Sequence, residues 1–213
     1  MRRRTLLAWT AAGTAASAVC GAGPSVAAGP TLIEAVRARL TDAPVLRGEF
    51  EQRKSVRGFR NPLVSRGDFM VARGKGVIWR TREPFASSLT LTRDRLVARS
   101  SDGTVNRTID AREEPAARVL TELMLALMAA DLAGMSGRFR VEGELLGDLG
   151  WRLELTPADD VIRRTVSRVR MEGERHLRML QIQETQGDSS EIRFNRIRAE
   201  QIPSPDEDAQ LAR

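Results

Sequence analysis

Hydrophobic positions along the chain change period several times, and each change marks an element boundary. Leu32, Ile33, Val36 and Leu40 recur at helical spacing, because residues three and four apart share a helix face. Thr31 with Glu34 three residues later has the spacing of a capping box, and Asp42-Ala43-Pro44 stops the helix. Arg37 and Arg39 fall off the apolar stripe. From Val45 the period is two. Leu46, Gly48 and Phe50 alternate with Arg47, Glu49 and Glu51; Phe69 and Val71 with Asp68 and Met70; Val77 and Trp79 with Ile78 and Arg80; Leu89 and Leu91 with threonines. Close turns at Gly74-Lys75-Gly76, Arg93-Asp94-Arg95 and Ser101-Asp102-Gly103 separate these runs, which favours antiparallel hairpins over crossover units.

The pattern breaks at Glu113-Glu114-Pro115, which opens a second helix with acids in its first turn. Val119, Leu120, Leu123, Met124, Leu125, Leu127 and Met128 make it apolar around most of its circumference, so it should be buried on more than one side. Strands resume at Phe139–Leu145, Trp151–Leu155, Ser167–Met171, Leu177–Glu184 and Glu191–Arg198, with a short turn between Asp159 and Arg164. In the last strand the apolar phase slips from Ile192 and Phe194 to Ile197, which predicts a bulge. Residues 201–213 read as a polar, proline-punctuated tail, loosely held. The sum is a mainly β (α+β) fold. One antiparallel sheet of about ten or eleven strands should curl into an incomplete barrel, with the helices on its concave apolar face.

Composition changes the picture at the N-terminus. Met1-Arg2-Arg3-Arg4, then the apolar run Thr5–Val19, then Val26-Ala27-Ala28 form the three parts of a secretory signal cleaved near Ala28. The run of about 15 residues is too short to span ~30 Å of hydrocarbon. Arg3-Arg4 fits a twin-arginine signal as well as a general one. This leaves one exported domain over residues 29–200. The sole cysteine, Cys20, leaves with the signal, or else is a lipidation site that Val19 before it suits poorly. The mature fold therefore rests on packing, without a disulfide. Without the three leader arginines, 31 basic groups face 28 acidic ones, a net charge of +3. Acids interleave with arginines, aromatics are scarce and tyrosine is absent, which argues against nucleic acid as a partner.

Candidate chemistry is sparse. His176 is the one histidine; no Gly-x-Ser-x-Gly elbow accompanies it, it cannot anchor an ordinary zinc site alone, and it reads as a surface turn residue. Asp159-Asp160 are adjacent and diverge, so they do not form a catalytic pair. Gly74-x-Gly76 joins strand to strand, with no helix N-terminus to receive a phosphate. No catalytic residue, metal or cofactor is expected. An apolar concave wall in an exported protein suits hydrocarbon, since each methylene withdrawn from water is worth about 0.8 kcal/mol. The expected cavity takes Leu46 and Phe50 from the first strand, Phe69 and Val71 from the second, and Trp79, Leu89 and Leu91 from the next two. The second helix adds Leu120, Leu123, Met124, Leu127 and Met128, and Trp151 and Leu153 come from a later strand. Met124, Met128 and Met135 suit either simple core packing or a surface that repacks. A regular strand would place Arg73 on the face of Phe69 and Val71, at the cavity rim. A lid carbonyl or carboxylate could partner it there; the alternative is a solvated turn arginine.

The ordered set of first helix, Phe50-x-Gln52, Gly67-x-Phe69, Val71-x-Arg73, Trp79, Pro84, the later helix and Leu155-Thr156-Pro157 resembles the periplasmic outer-membrane lipoprotein carrier family, LolA, and its LolA-like relatives. The resemblance implies an incomplete barrel with a helical lid, which takes acyl chains of a lipoprotein from an inner-membrane transporter and passes them to an outer-membrane acceptor. It implies that Arg73 bonds to the lid and controls its opening, with Gly74 where the family has proline. LolA-like relatives linked to lipid or polyene pigment assembly would carry another lipid. The chain is expected to act as a monomer. A lipid- or envelope-stress-sensing module on the same half-barrel and a lipid hydrolase are the competing readings.

Overall fold

The computed structural model describes residues 31–92, 94–110, 126 and 137–212. The predicted leader, residues 1–28, lies outside these residues. So does nearly all of the second predicted helix, with Leu120, Leu123, Met124, Leu127, Met128 and Met135. Ala126, from within it, is helical and packs against the core.

Helix α1 (Leu32–Arg39) begins at the predicted capping box: Thr31 and Glu34 bond reciprocally, with Thr31 N–H donating to Glu34 Oε2 at 2.7 Å. Eleven strands follow the alternating runs: β1 (Val45–Ser55), β2 (Leu63–Ala72), β3 (Gly76–Glu83), β4 (Ser87–Leu91), β5 (Arg95–Ser100), β6 (Val105–Asp110), β7 (Phe139–Leu146), β8 (Gly150–Pro157), β9 (Val166–Gly173), β10 (Leu177–Glu184) and β11 (Ser189–Glu200). Between β8 and β9 lies the short helix α2 (Asp160–Arg163), capped by the Asp159 side chain. After β11 comes α3 (Pro205–Ala212).

The strands form one open antiparallel sheet in the order β6-β5-β4-β3-β2-β1-β11-β10-β9-β8-β7. Two meanders thus meet where the first strand pairs with the last. The predicted bulge is present on β11. Arg47 faces Arg198 but Glu49 faces Asn195, so β11 holds one residue more than β1 there, and Arg196 takes a positive φ of 50°. The extra residue lets both Phe194 and Ile197 reach the same core.

Cross-strand register carries one apolar face across the sheet. Leu46, Val71, Val77 and Leu91 form one row, and Gly48, Phe69, Trp79 and Leu89 the next. Beyond the β1–β11 junction the rows continue through Ile192, Leu180, Met171 and Leu153. This face, covered by Leu32, Ile33, Val36 and Leu40 of the α1 segment, is the main core.

The opposite, convex face is mostly arginine and glutamate in cross-strand pairs, such as Arg152 with Glu144 and Glu172, and Arg170 with Glu154. One patch of it is apolar: Val45, Met70, Ala72 and Ile78, closed over by Leu211. This corrects the reading of residues 201–213 as a loosely held tail. Ser204-Pro205-Asp206-Glu207 is itself a capping box with proline at the first helical position. Ser204 N–H and Oγ–H each donate to Glu207 Oε2 at 2.9 Å.

Candidate functional site: the concave face and its helical cover

The site is built from the concave rows. Phe50 and Trp79 stack at 3.8 Å between ring centroids, while Phe69 meets Phe194 edge-on at 5.3 Å. Backbone space for these rings comes from glycine. A Cβ on Gly48 would lie 2.8 Å from the Phe69 ring, and one on Gly173 would lie 2.6 Å from the Trp151 indole. Trp151 Nε1–H donates to the Glu174 carbonyl at 2.7 Å, so the buried indole has its polar partner. Trp79 and Leu89 are only partly buried.

Of the predicted cavity residues, Leu46, Phe50, Phe69, Val71, Trp79, Leu89, Leu91, Trp151 and Leu153 share this face. All but Leu46 belong to one contiguous cluster; Leu46 is buried on the same face beside it. The five cavity residues from the second helix are outside the described residues.

The cover is α1. Val36 is 0% exposed beneath it, and its neighbours Leu32, Ile33 and Leu40 pack on the same cluster. Polar bonds hold its C-terminal end in three places. Arg39 donates to the carbonyls of Leu146 at 3.4 Å, Gly147 at 2.9 Å and Gly150, which span the β7–β8 turn and its two strand ends. Thr41 N–H donates to the Arg175 carbonyl in the β9–β10 turn at 2.8 Å. Arg73 donates from Nη2 to the Ala43 carbonyl at 3.2 Å, pairs with the Asp42 carboxylate, and donates its N–H to the Pro44 carbonyl at 2.9 Å. β2 ends at Ala72, so Arg73 stands in the β2–β3 turn and turns to the segment that follows α1.

In the sequence Arg39 merely falls off the apolar stripe. Its position in the last turn of a capped helix was the available signal, but its acceptors are carbonyls more than a hundred residues away in sequence.

His176 differs from its expected place on the surface. Its Nε2 is buried without a hydrogen-bond partner among the described residues. Burial first, then the charges of Arg178 and Arg175, lower its pKa from the ordinary value. It lies in the β9–β10 connection, next to the Arg175 carbonyl that receives Thr41.

Much of the charge lies on the convex face. Glu207 is 5% exposed. Burial works to raise its pKa, but bonds from Arg47 and from Ser204 outweigh this and bring it down to about 2. Arg47 is raised above its ordinary value, chiefly by its bond to Glu207 against the opposing effect of burial. Arg80 adds a contact to Glu207 at 3.4 Å. A cavity of about 690 Å³ borders Arg53, Arg168, Arg170, Gln181 and Glu191. That charged wall does not suit hydrocarbon. Among the described residues, no three His, Cys, Asp or Glu side chains are grouped to hold a metal. No described helix is long and apolar enough to cross a membrane.

Residues 41–207 match the family model for outer membrane lipoprotein carrier protein LolA. The chain belongs to the LolA family. Three solved structures are similar to it. A LolA superfamily protein from Nitrosomonas europaea is 12% identical, over 80% of this chain and 93% of its own, with a TM-score of 0.44. A domain from Vibrio parahaemolyticus, provisionally named an outer membrane lipoprotein-sorting protein, is 11% identical over 84% and 96%, with a TM-score of 0.48. A DUF1329 family protein from Desulfovibrio piger is 10% identical over 79% and 90%, with a TM-score of 0.47. No curated protein matches the chain. LolA membership makes this a protein of a carrier family, not of an enzyme family, and the family is periplasmic.

Proposed function

We propose that the protein is a periplasmic carrier whose concave face shelters the acyl chains of a lipoprotein, or of another lipid, on the way to the outer membrane. The observation that carries this reading is the cover. A short helix lies on a sheet-wide apolar wall, and the bonds holding it come from one end. Four apolar side chains of the α1 segment rest on the wall, Val36 fully buried and Leu32, Ile33 and Leu40 partly so, worth at most roughly 1.5–3 kcal/mol each. About a dozen acyl methylenes entering the same space would offer ~10 kcal/mol. The two totals are comparable, so cargo can replace the helix and be replaced by it.

Arg73 is the gate in this reading, since it joins the β2–β3 turn to the segment behind the lid. An inner-membrane transporter would load the carrier and an outer-membrane acceptor would unload it, with the carrier working as a monomer and without a cofactor. Cleavage of the leader near Ala28 would release it. The test is the cargo itself. Protein purified from the periplasm, extracted with organic solvent and examined by mass spectrometry, should release an acylated lipid or lipopeptide. A lipid-free extract, together with no uptake of a fluorescent fatty acid, would rule out the carrier role.

A further inference from the structure

The hairpin connections of the first meander differ sharply between the two ends of the sheet. At one end are the Arg73-Gly74-Lys75 turn and the β4–β5 connection with Thr92 and Asp94, charged and polar as turns usually are. At the other end are the β1–β2, β3–β4 and β5–β6 loops. There Phe85 is 83% exposed, Phe59 66%, Leu63 56% and Val105 51%. Alternate connections of a meander fall on the same edge of its sheet, so these four side chains project from one end of the molecule. An isolated exposed leucine needs no explanation; two phenylalanines at the tips of loops that share an end do.

The β1–β2 loop at this end is basic, with two arginines and no acid over residues 56–62. Arg57 and Arg60 lie on the β1–β2 loop with Phe59 between them, and neither is in an ion pair among the described residues. Of the acids nearby, Glu83 pairs with Arg66, Asp188 accepts the Arg57 N–H, and Asp102 accepts the Thr104 N–H.

We propose that this end is a docking surface for an anionic bilayer. Phe59, Leu63 and Phe85 enter the headgroup boundary, and Arg57 and Arg60 bond lipid phosphates. Separate projecting tips suit a fluid interface, which closes around each of them. Aromatic rings and guanidinium groups are the side chains that settle at that depth. The proposal goes beyond the carrier reading and does not rest on it, because a sensing domain would meet the membrane in the same way.

The experiment is co-sedimentation of the processed, exported protein with vesicles of phosphatidylethanolamine and phosphatidylglycerol, and with phosphatidylcholine vesicles. The wild-type protein should sediment with the anionic vesicles and far less with phosphatidylcholine. Phe59→Ser with Phe85→Ser should lower the bound fraction roughly fivefold or more, with an unchanged melting temperature because both sites are exposed. Phe85→Trp should keep binding and shift its emission to the blue on anionic vesicles. Failure of the wild-type protein to sediment, equal sedimentation of the double serine variant, or equal binding to phosphatidylcholine would each overturn the proposal. Loss of cargo retention alone would leave it standing.

Discussion

Arg73 holds three groups on the segment behind α1: the Ala43 and Pro44 carbonyls and the Asp42 carboxylate. Only the side-chain bonds disappear in Arg73→Leu, and the side chain is 41% exposed, so the stability lost should stay below about 1 kcal/mol. Uptake and release of a fluorescent lipid should nevertheless quicken, because the lid loses a restraint. Rates equal to wild type would make Arg73 an ordinary turn residue. His176 offers a second residue-level measurement. Its folded pKa lies below the ordinary 6.5, so the fold favours the neutral ring. Stability is full above about pH 6.5 and falls as the pH drops below it, when the unfolded chain takes up a proton that the folded chain resists. Thermal melts from pH 7 to 5 should show this loss, and His176→Gln should flatten it.

At the scale of elements, α1 and α3 are two short helices fastened by different means. α1 is held by apolar contact along its length and by Arg39 at its end. Arg39→Gln should raise amide exchange across Leu32–Leu40, by the ~1.5–3 kcal/mol that hydrogen bonds to a charged group are worth. Exchange unchanged there would show that apolar packing alone keeps the helix down. α3 depends on a buried carboxylate. Glu207 titrates at about 2 against an ordinary 4.5, so its contribution is complete above about pH 4.5 and disappears as the pH falls toward 2. Glu207→Gln leaves Arg47 and Arg80 without their shared partner and should cost about 1–3 kcal/mol in denaturant melts at pH 7. The variant should also lose part of the wild-type stability change between pH 4.5 and 2.

Most strands were legible because they pair one buried and one charged face, and two-residue alternation records that directly; β6 was not, since Val105–Thr108 are all exposed and leave no such record. The bulge on β11 was legible from the slipped phase between Phe194 and Ile197. The convex apolar patch was not. Val45, Met70, Ala72 and Ile78 stand at the alternate positions of strands whose other face is the main core, so they read as incidental outward residues. The Ser204–Glu207 capping box that brings Leu211 over them was present in the sequence, but one leucine in a polar helix gives no periodicity. The concave site was legible as a face and not as a mechanism. Alternation selects Phe69, Trp79 and Leu89, but it carries no information about carbonyl acceptors such as Gly147 and Gly150.

For the whole molecule, the carrier reading makes stability depend on cargo. A ligand that binds only the folded chain at a hundred times its dissociation constant adds about 2.7 kcal/mol. Protein stripped of lipid should therefore melt at lower temperature and recover when a fatty acid is added back. Equal melting with and without added lipid would mean that the concave face takes none.

The order of the sheet has one more consequence. β1 is flanked by β2 and by β11, so the joint between the two halves needs residues 189–200. During synthesis the early meander can form by itself, but it must wait for almost the entire polypeptide before its open side is sealed. Such distant pairing is slow to nucleate. A nascent chain emerging N-terminus first would thus stay pliable through most of its passage and lock only when its final segment arrives. A truncation that stops before Ser189 should yield an aggregating fragment instead of a smaller stable domain.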